Sequence, residues 1–297
     1  MTPLTLGSAS QNVPEDFPQL LSLLAERPQP AVVCYRPSAE DGAMDSGAGA
    51  EPRSGLSSVA DTAEPERVEL SGRVLQNWAV KLIGLLTEEL EEIFDAAEPA
   101  PRVLIDTAPH WKSAAVVLAA TSLGAQVVTT AGEDAAGPSA AGADAAGEEP
   151  ASLVVTDRPQ AWQGSSALGE AELAALSPGL MDESFEDATG QGIPAWVLDI
   201  SAEVRQHPDQ LLTPLDPVRL PEAVRSASAG SGNAESGVAG SARTALVTRT
   251  EWAPDAVVTL LSTWAHGNTV VLIDGAPGDA VWGQGRWEQV LRNEGLA

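Results

Sequence analysis

Short apolar runs alternate along this chain with longer segments whose apolar residues recur every three or four positions. AVVCY (31–35) and ERVEL (66–70) read as two strands, a hairpin with a long loop at its tip. A helix of about two dozen residues follows, with Ser71 placed to cap its start. Leu75, Trp78, Leu82, Leu86, Leu90 and Ile93 build one apolar face on it. At about 1.5–3 kcal/mol per large side chain, that face contributes on the order of 10 kcal/mol before entropy. Glu88, Glu89, Glu91 and Glu92 fall at its far end and read as a solvated helix end rather than a metal site.

The alternation continues. RVLID (102–106) predicts a strand, 110–123 a helix stopped by Gly124, and QVVTT and SLVVTD (152–157) two more strands. GEAELAALS (169–177) reads as a short helix, AWVLDI (195–200) as a strand and SAEVRQH as a helical turn. TALVTR (244–249) is a strand, and APDAVVTLLSTWAHG a helix ending at Gly267. NTVVLID (268–274) is the last strand and GRWEQVLRNEG (285–295) the last helix. Continuous apolar runs of four or five residues mark strands covered on both faces. The expected class is therefore α/β, with a mainly parallel sheet and helices on both faces.

Three stretches, about 38–66, 129–150 and 222–242, are rich in Ala, Gly and Ser, the first two also in acid. Their side chains bury too little to offset ordering entropy, so they read as flexible insertions in a single domain spanning 1–297. The chain holds 42 acidic residues against 16 basic ones, a formal charge of -26, and its only lysines are Lys81 and Lys112. That balance excludes nucleic acid, whose binding needs cations to replace phosphate counterions, and disfavours an anionic membrane surface. The single cysteine, Cys34, sits in an apolar run and reads as a buried small hydrophobe. The first residues lack a basic and then apolar leader pattern, and no run is long enough to span a bilayer, so a cytoplasmic location is expected.

Several of these segments resemble the front part of AMP-binding, adenylate-forming enzymes, the superfamily of acyl-CoA synthetases, peptide-synthetase adenylation domains and luciferases. VELSGRVLQNWAVKLIGLLTEEL is similar to the family's early strand and helix. RVLIDTAPHWKSAAVVLAATSLGAQVV is similar to its next strand, Ala/Leu-rich helix and Gly-Ala end, with Pro109-His110-Trp111 where the family has Pro-Asn. SLVVTD, LLSTWAHGNTVVLID and RWEQVLRNEGLA follow in the family's order. The chain is also similar to short actinobacterial proteins that resemble only this front part. The resemblance implies a truncated adenylate-forming N-terminal-like domain. It also implies an open strand edge or apolar face that invites a protein partner or a homodimer contact.

Adenylation requires a cradle of backbone amides and cations for triphosphate. The interval where the family carries its phosphate loop reads SAGSGNAESGVAGSA, without the Thr-Gly pairing or the lysine. No resident cofactor is expected, and ATP or AMP only through the resemblance. Gly230-Ser231-Gly232-Asn233 opens like a dinucleotide fingerprint but has Glu235 at the third glycine position. His110, His207 and His266 stand far apart, with no zinc spacing. The candidate ligand residues are Asp106, His110, Trp111 and Lys112, at the carboxyl end of a predicted parallel strand, where an imidazole, an aromatic ring and a cation would frame a small anion. Trp78, Trp196 and Trp264 fit core faces. Trp252, Trp282 and Trp287 sit in or near late loops, packed there or marking a contact surface.

The functional expectation is a pseudoenzyme: a catalytically incomplete adenylate-forming-like protein that binds a nucleotide-like or acyl small molecule or a partner protein. The alternative is an ATP-dependent ligase completed by another subunit.

Overall fold

A computed structural model describes residues 13–37, 65–95, 99–129, 150–226, 243–247, 256–275, 279 and 282–296. In chain order the elements are α1 (Phe17–Ala25), β1 (Pro30–Arg36), β2 (Glu66–Ser71), α2 (Gly72–Glu89), α3 (Glu91–Phe94), β3 (Arg102–Asp106), α4 (Trp111–Ser122) and β4 (Gln126–Thr129). They continue with β5 (Leu153–Thr156), α5 (Pro159–Trp162), β6 (Glu172–Ala175), α6 (Phe185–Thr189), β7 (Leu198–Asp199), α7 (Ile200–Glu203) and α8 (Glu222–Ser226). The last are β8 (Arg243–Val247), α9 (Ala256–Ala265), β9 (Thr269–Ile273) and α10 (Gly283–Asn293).

The strands form two sheets. One is five-stranded and wholly parallel, in the order β4-β3-β5-β6-β7. The other runs β2-β1-β9-β8, with β1, β9 and β8 parallel and β2 antiparallel to β1. The expected α/β class with a mainly parallel sheet is what the chain adopts. The predicted hairpin is the β1–β2 pair.

One large core lies between the sheets, built from α1, α2, α4 and α9 against the inner strand faces. All twelve residues of α4 are buried, which suits a helix that is apolar nearly all round. Val33, Tyr35, Val271 and Ile273 face the other way, onto Trp282, Trp287 and Val290 of the α10 region. Leu104, Val154 and Leu173 pack outward onto Trp162 and Phe185. Helices therefore cover both faces of each sheet. Gly124 and Gly267 take φ +85° and +70° at the ends of α4 and α9, the left-handed stops expected of them.

Residues 169–177 are not a helix. Glu172–Ala175 is strand β6, in parallel register with β5 from Leu153↔Glu172 to Thr156↔Ala175. Leu173 and Ala175 join the outward cluster while Ala174 and Leu176 join the main core, a two-residue alternation that a helix would not give. Alanine-rich sequence favours a helix locally, but a place between two parallel strands overrides it. The strand expected over 195–200 shrinks to Leu198–Asp199, because the Asp199 carboxylate accepts from the Ser201 and Ala202 amides and starts α7. Trp196, assigned to a core face, is 55% exposed, whereas Trp282 and Trp287 are buried. Helix α1, absent from the sequence reading, is capped by Asp16 and buries Phe17, Leu20, Leu21 and Leu24. The three predicted insertions fall largely outside the described residues; at their edges Glu66 belongs to β2, Thr129 to β4 and Glu222–Ser226 to α8. Trp252 and the Gly230–Asn233 stretch also lie outside them. Among the described residues no helix is long and apolar enough to cross a membrane, and no acidic or His/Cys cluster is arranged to hold a metal. Glu88, Glu89, Glu91 and Glu92 face solvent.

Candidate functional site

From β3 the chain crosses through α4 to β4 on one side, then returns to β5 on the other. The strand order reverses between β3 and β5, and α/β sheets leave a crevice at the carboxyl ends of such strands. Thr107 and Asp157 follow those two strands directly and line a cleft of about 90 Å³. Ser177 and Pro178, after β6, close a third side. The second sheet contributes its own carboxyl ends, Arg36 from β1 and Asp274 after β9. The cleft thus lies where parallel strands of both sheets end together. A single water needs about 10–15 Å³ measured this way, so the space holds several waters or a group the size of a carboxylate.

His110 is the residue through which α4 meets this cleft. Its Nδ1 accepts from the Lys112 amide at 3.0 Å, and its own amide donates to Ser113 Oγ at 3.1 Å, so imidazole and serine cap the helix reciprocally. With Nδ1 an acceptor, the ring proton of the neutral form belongs on Nε2. That Nε2 is buried without a hydrogen-bond partner, and the residue is 6% exposed. Burial, then the Lys112 and Arg36 charges, hold the imidazole well below its ordinary pKa. A neutral donor without a partner therefore sits at the positive end of a twelve-residue helix, in a residue that lines the cleft.

The cleft's other charges are balanced. Arg36 Nε lies 3.4 Å from Asp274, and its guanidinium also donates to the Pro178 carbonyl. Asp157 lies 3.3 Å from Arg158 Nε.

The four residues singled out by sequence part company here. Only His110 lines the cleft. Asp106 points to the outer face of the five-stranded sheet, where it accepts from Trp162 Nε1 (2.7 Å), Thr156 Oγ1 (3.1 Å) and Arg158 (3.0 Å). Trp111 packs edge-on to Trp78 at 4.9 Å and donates its indole N–H to the Leu180 carbonyl. Lys112 is 4% exposed and lies behind the cleft, its Nζ 2.5 Å from Ser177 Oγ. Burial is the main cause pulling its pKa down to about 8, partly opposed by Asp182. His207 packs beside Gly84 on α2, and His266 contacts the Ser262 carbonyl on α9, so the histidines do not converge. Cys34 is buried, and desolvation pushes its thiol up to about 12 against the pull of the Trp111 amide.

Arg36, Thr107, Asp157, Ser177 and Asp274 escaped the sequence reading. Each stands at the end of an apolar run, and that position is the signal that would have found them.

No family model matches the chain. A "TIGR03089 family protein" of Mycobacterium tuberculosis (strain ATCC 25618 / H37Rv) is 32% identical over 161 residues, 53% of this chain and 55% of that protein. The match thus spans about half the length of the curated relative. Among solved structures, the N-terminal subdomain of Klebsiella oxytoca NpsA superposes with a TM-score of 0.51 at 12% identity, over 95% of this chain and 60% of that one. The nonribosomal peptide synthetase FmoA3 gives 0.51 at 16%, over 96% and 25%. A Mycobacterium tuberculosis fatty acyl CoA synthetase gives 0.50 at 14%, over 94% and 47%. The fold resembles that of the N-terminal part of adenylate-forming enzymes, as the sequence resemblance implied.

Proposed function

We propose that this chain works as a binding protein on an adenylate-forming-like scaffold. It takes the anionic head of a small molecule in the cleft where the strands of both sheets end, and does not adenylate unaided. The observation that carries this reading is the buried, unpartnered Nε2–H of His110 at the start of α4. Arg36 adds a cation, while Asp157 and Asp274 on the rim oppose a polyanion. A monoanion such as a carboxylate therefore fits better than a triphosphate, and neither lysine of the chain lines the cleft.

Calorimetric titration with short carboxylates, AMP, ATP and acyl adenylates tests this, using His110→Asn as the control. Asparagine keeps a good helix cap but removes the Nε2 donor. Saturable carboxylate binding that weakens about tenfold in the variant is expected, the loss of about one charge-assisted hydrogen bond. Equal binding by both proteins, or acyl-adenylate formation by the purified chain, overturns the reading. Pyrophosphate exchange that appears only when cell extract is added would favour the subunit-completed ligase.

A further inference from the structure

Behind the cleft, three polar side chains sit in a row that binding alone does not use. Lys112 Nζ lies 2.5 Å from Ser177 Oγ, and Ser177 Oγ lies 2.7 Å from Ser201 Oγ. They come from α4, the end of β6 and α7, elements far apart in sequence. We infer that Ser177 and Lys112 form a nucleophile–base pair that cleaves small carboxylic esters, with Ser201 as its positioning residue and the His110 Nε2–H receiving the oxyanion.

The hydrogen bonds are compatible with this order when Lys112 is neutral. The Ser177 amide donates to Ser201 Oγ at 3.1 Å, and the Ser201 hydroxyl hydrogen is free to point at Ser177 Oγ. The charged Lys112 ammonium donates to Ser177 Oγ, and only once it has lost its proton can the amine take the Ser177 hydroxyl hydrogen. With the Lys112 pKa near 8, roughly a tenth of the amine is neutral at pH 7, close to what a general base requires. Ser177 is only 1% exposed, but it lines the same cleft as His110. The chemistry therefore rests on the cleft of the proposed reading being open.

In the first step Lys112 Nζ takes the Oγ proton while Oγ bonds to the carbonyl carbon, and the carbonyl electron pair moves onto oxygen beside His110. The bond to the alcohol oxygen then breaks, and that oxygen takes the proton from Lys112. Water, deprotonated by Lys112, attacks the acyl-Ser177 ester, releases the acid and returns a hydrogen to Oγ. Ester and water give acid and alcohol, with no further reactant.

The purified full chain, incubated with a small alkyl fluorophosphonate from pH 7 to 9.5, would be mapped by peptide mass spectrometry. An adduct on Ser177 is expected, formed about ninefold faster at pH 9 than at pH 7 as the neutral amine rises from about a tenth to nine-tenths. Lys112→Met should slow it at least about tenfold while circular dichroism stays unchanged. In Ser177→Cys, iodoacetamide should label only the introduced thiol, which lines the cleft, since Cys34 lies outside it with its thiol held protonated by burial. A folded chain with no adduct at Ser177 overturns the pair, and so does a rate indifferent to both pH and Lys112→Met. Carboxylate binding that persists without an adduct retires the nucleophile and leaves the binding reading standing. An adduct without carboxylate binding does the reverse.

Discussion

Replacing Lys112 with methionine should make this protein more stable at pH 7. The lysine is 4% exposed and its pKa falls from 10.5 to about 8, chiefly through desolvation. That drop corresponds to a penalty of roughly 3 kcal/mol on the charged form. The folded pKa lies below the unfolded one, so between about pH 8 and 10.5 the unfolded chain binds more protons. Stability therefore rises with pH across that window, and the full penalty is present below it. Methionine removes the charge at similar length but loses the hydrogen bond to Ser177, about 1 kcal/mol. The net expectation is a gain of about 1–2 kcal/mol at pH 7 that closes as pH approaches 10.5. Urea unfolding of both proteins from pH 7 to 10.5 measures it, and the difference between them isolates the contribution of Lys112. A variant less stable than the parent at pH 7, or a gap constant across the window, would refute the desolvation argument.

Two other perturbations test the surroundings of the cleft. The depressed pKa of His110 means that the unfolded chain gains its proton first as pH falls below about 6.5, costing up to about 1.4 kcal/mol per pH unit. Chemical unfolding should show that acid slope in the parent and a shallower one in His110→Asn. Trp162→Phe keeps most of the apolar contact of a fully buried ring but removes the 2.7 Å donor to Asp106. A loss of about 1–3 kcal/mol is expected, with the cleft's ligand affinity unchanged because Asp106 faces the opposite side of the sheet.

Much of the scaffold was legible because its signals are local. Apolar runs such as RVLID and TVVLI can be little other than covered strands, and the spacing from Leu75 to Leu86 closes one helix face. Ser71 starts α2 by accepting the Val74 amide on its side-chain oxygen, and Gly124 and Gly267 end helices through their left-handed backbone. His110 was readable as well, since the residue after a strand and before a helix falls at the crevice of an α/β sheet.

What tertiary structure alone decided is the facing of side chains and the company they keep. ELAA becomes a strand because β5 and β7 flank it, not from any preference of alanine. Asp106 and His110 are four residues apart, yet one turns under the sheet to Trp162 and the other opens on the cleft. Lys112, Ser177 and Ser201 meet through contacts 65 and 24 residues apart along the chain. Periodicity along a sequence reports how much of a side chain is buried; which distant atom it meets depends on strand order and register, and these are set by the summed packing of the whole core.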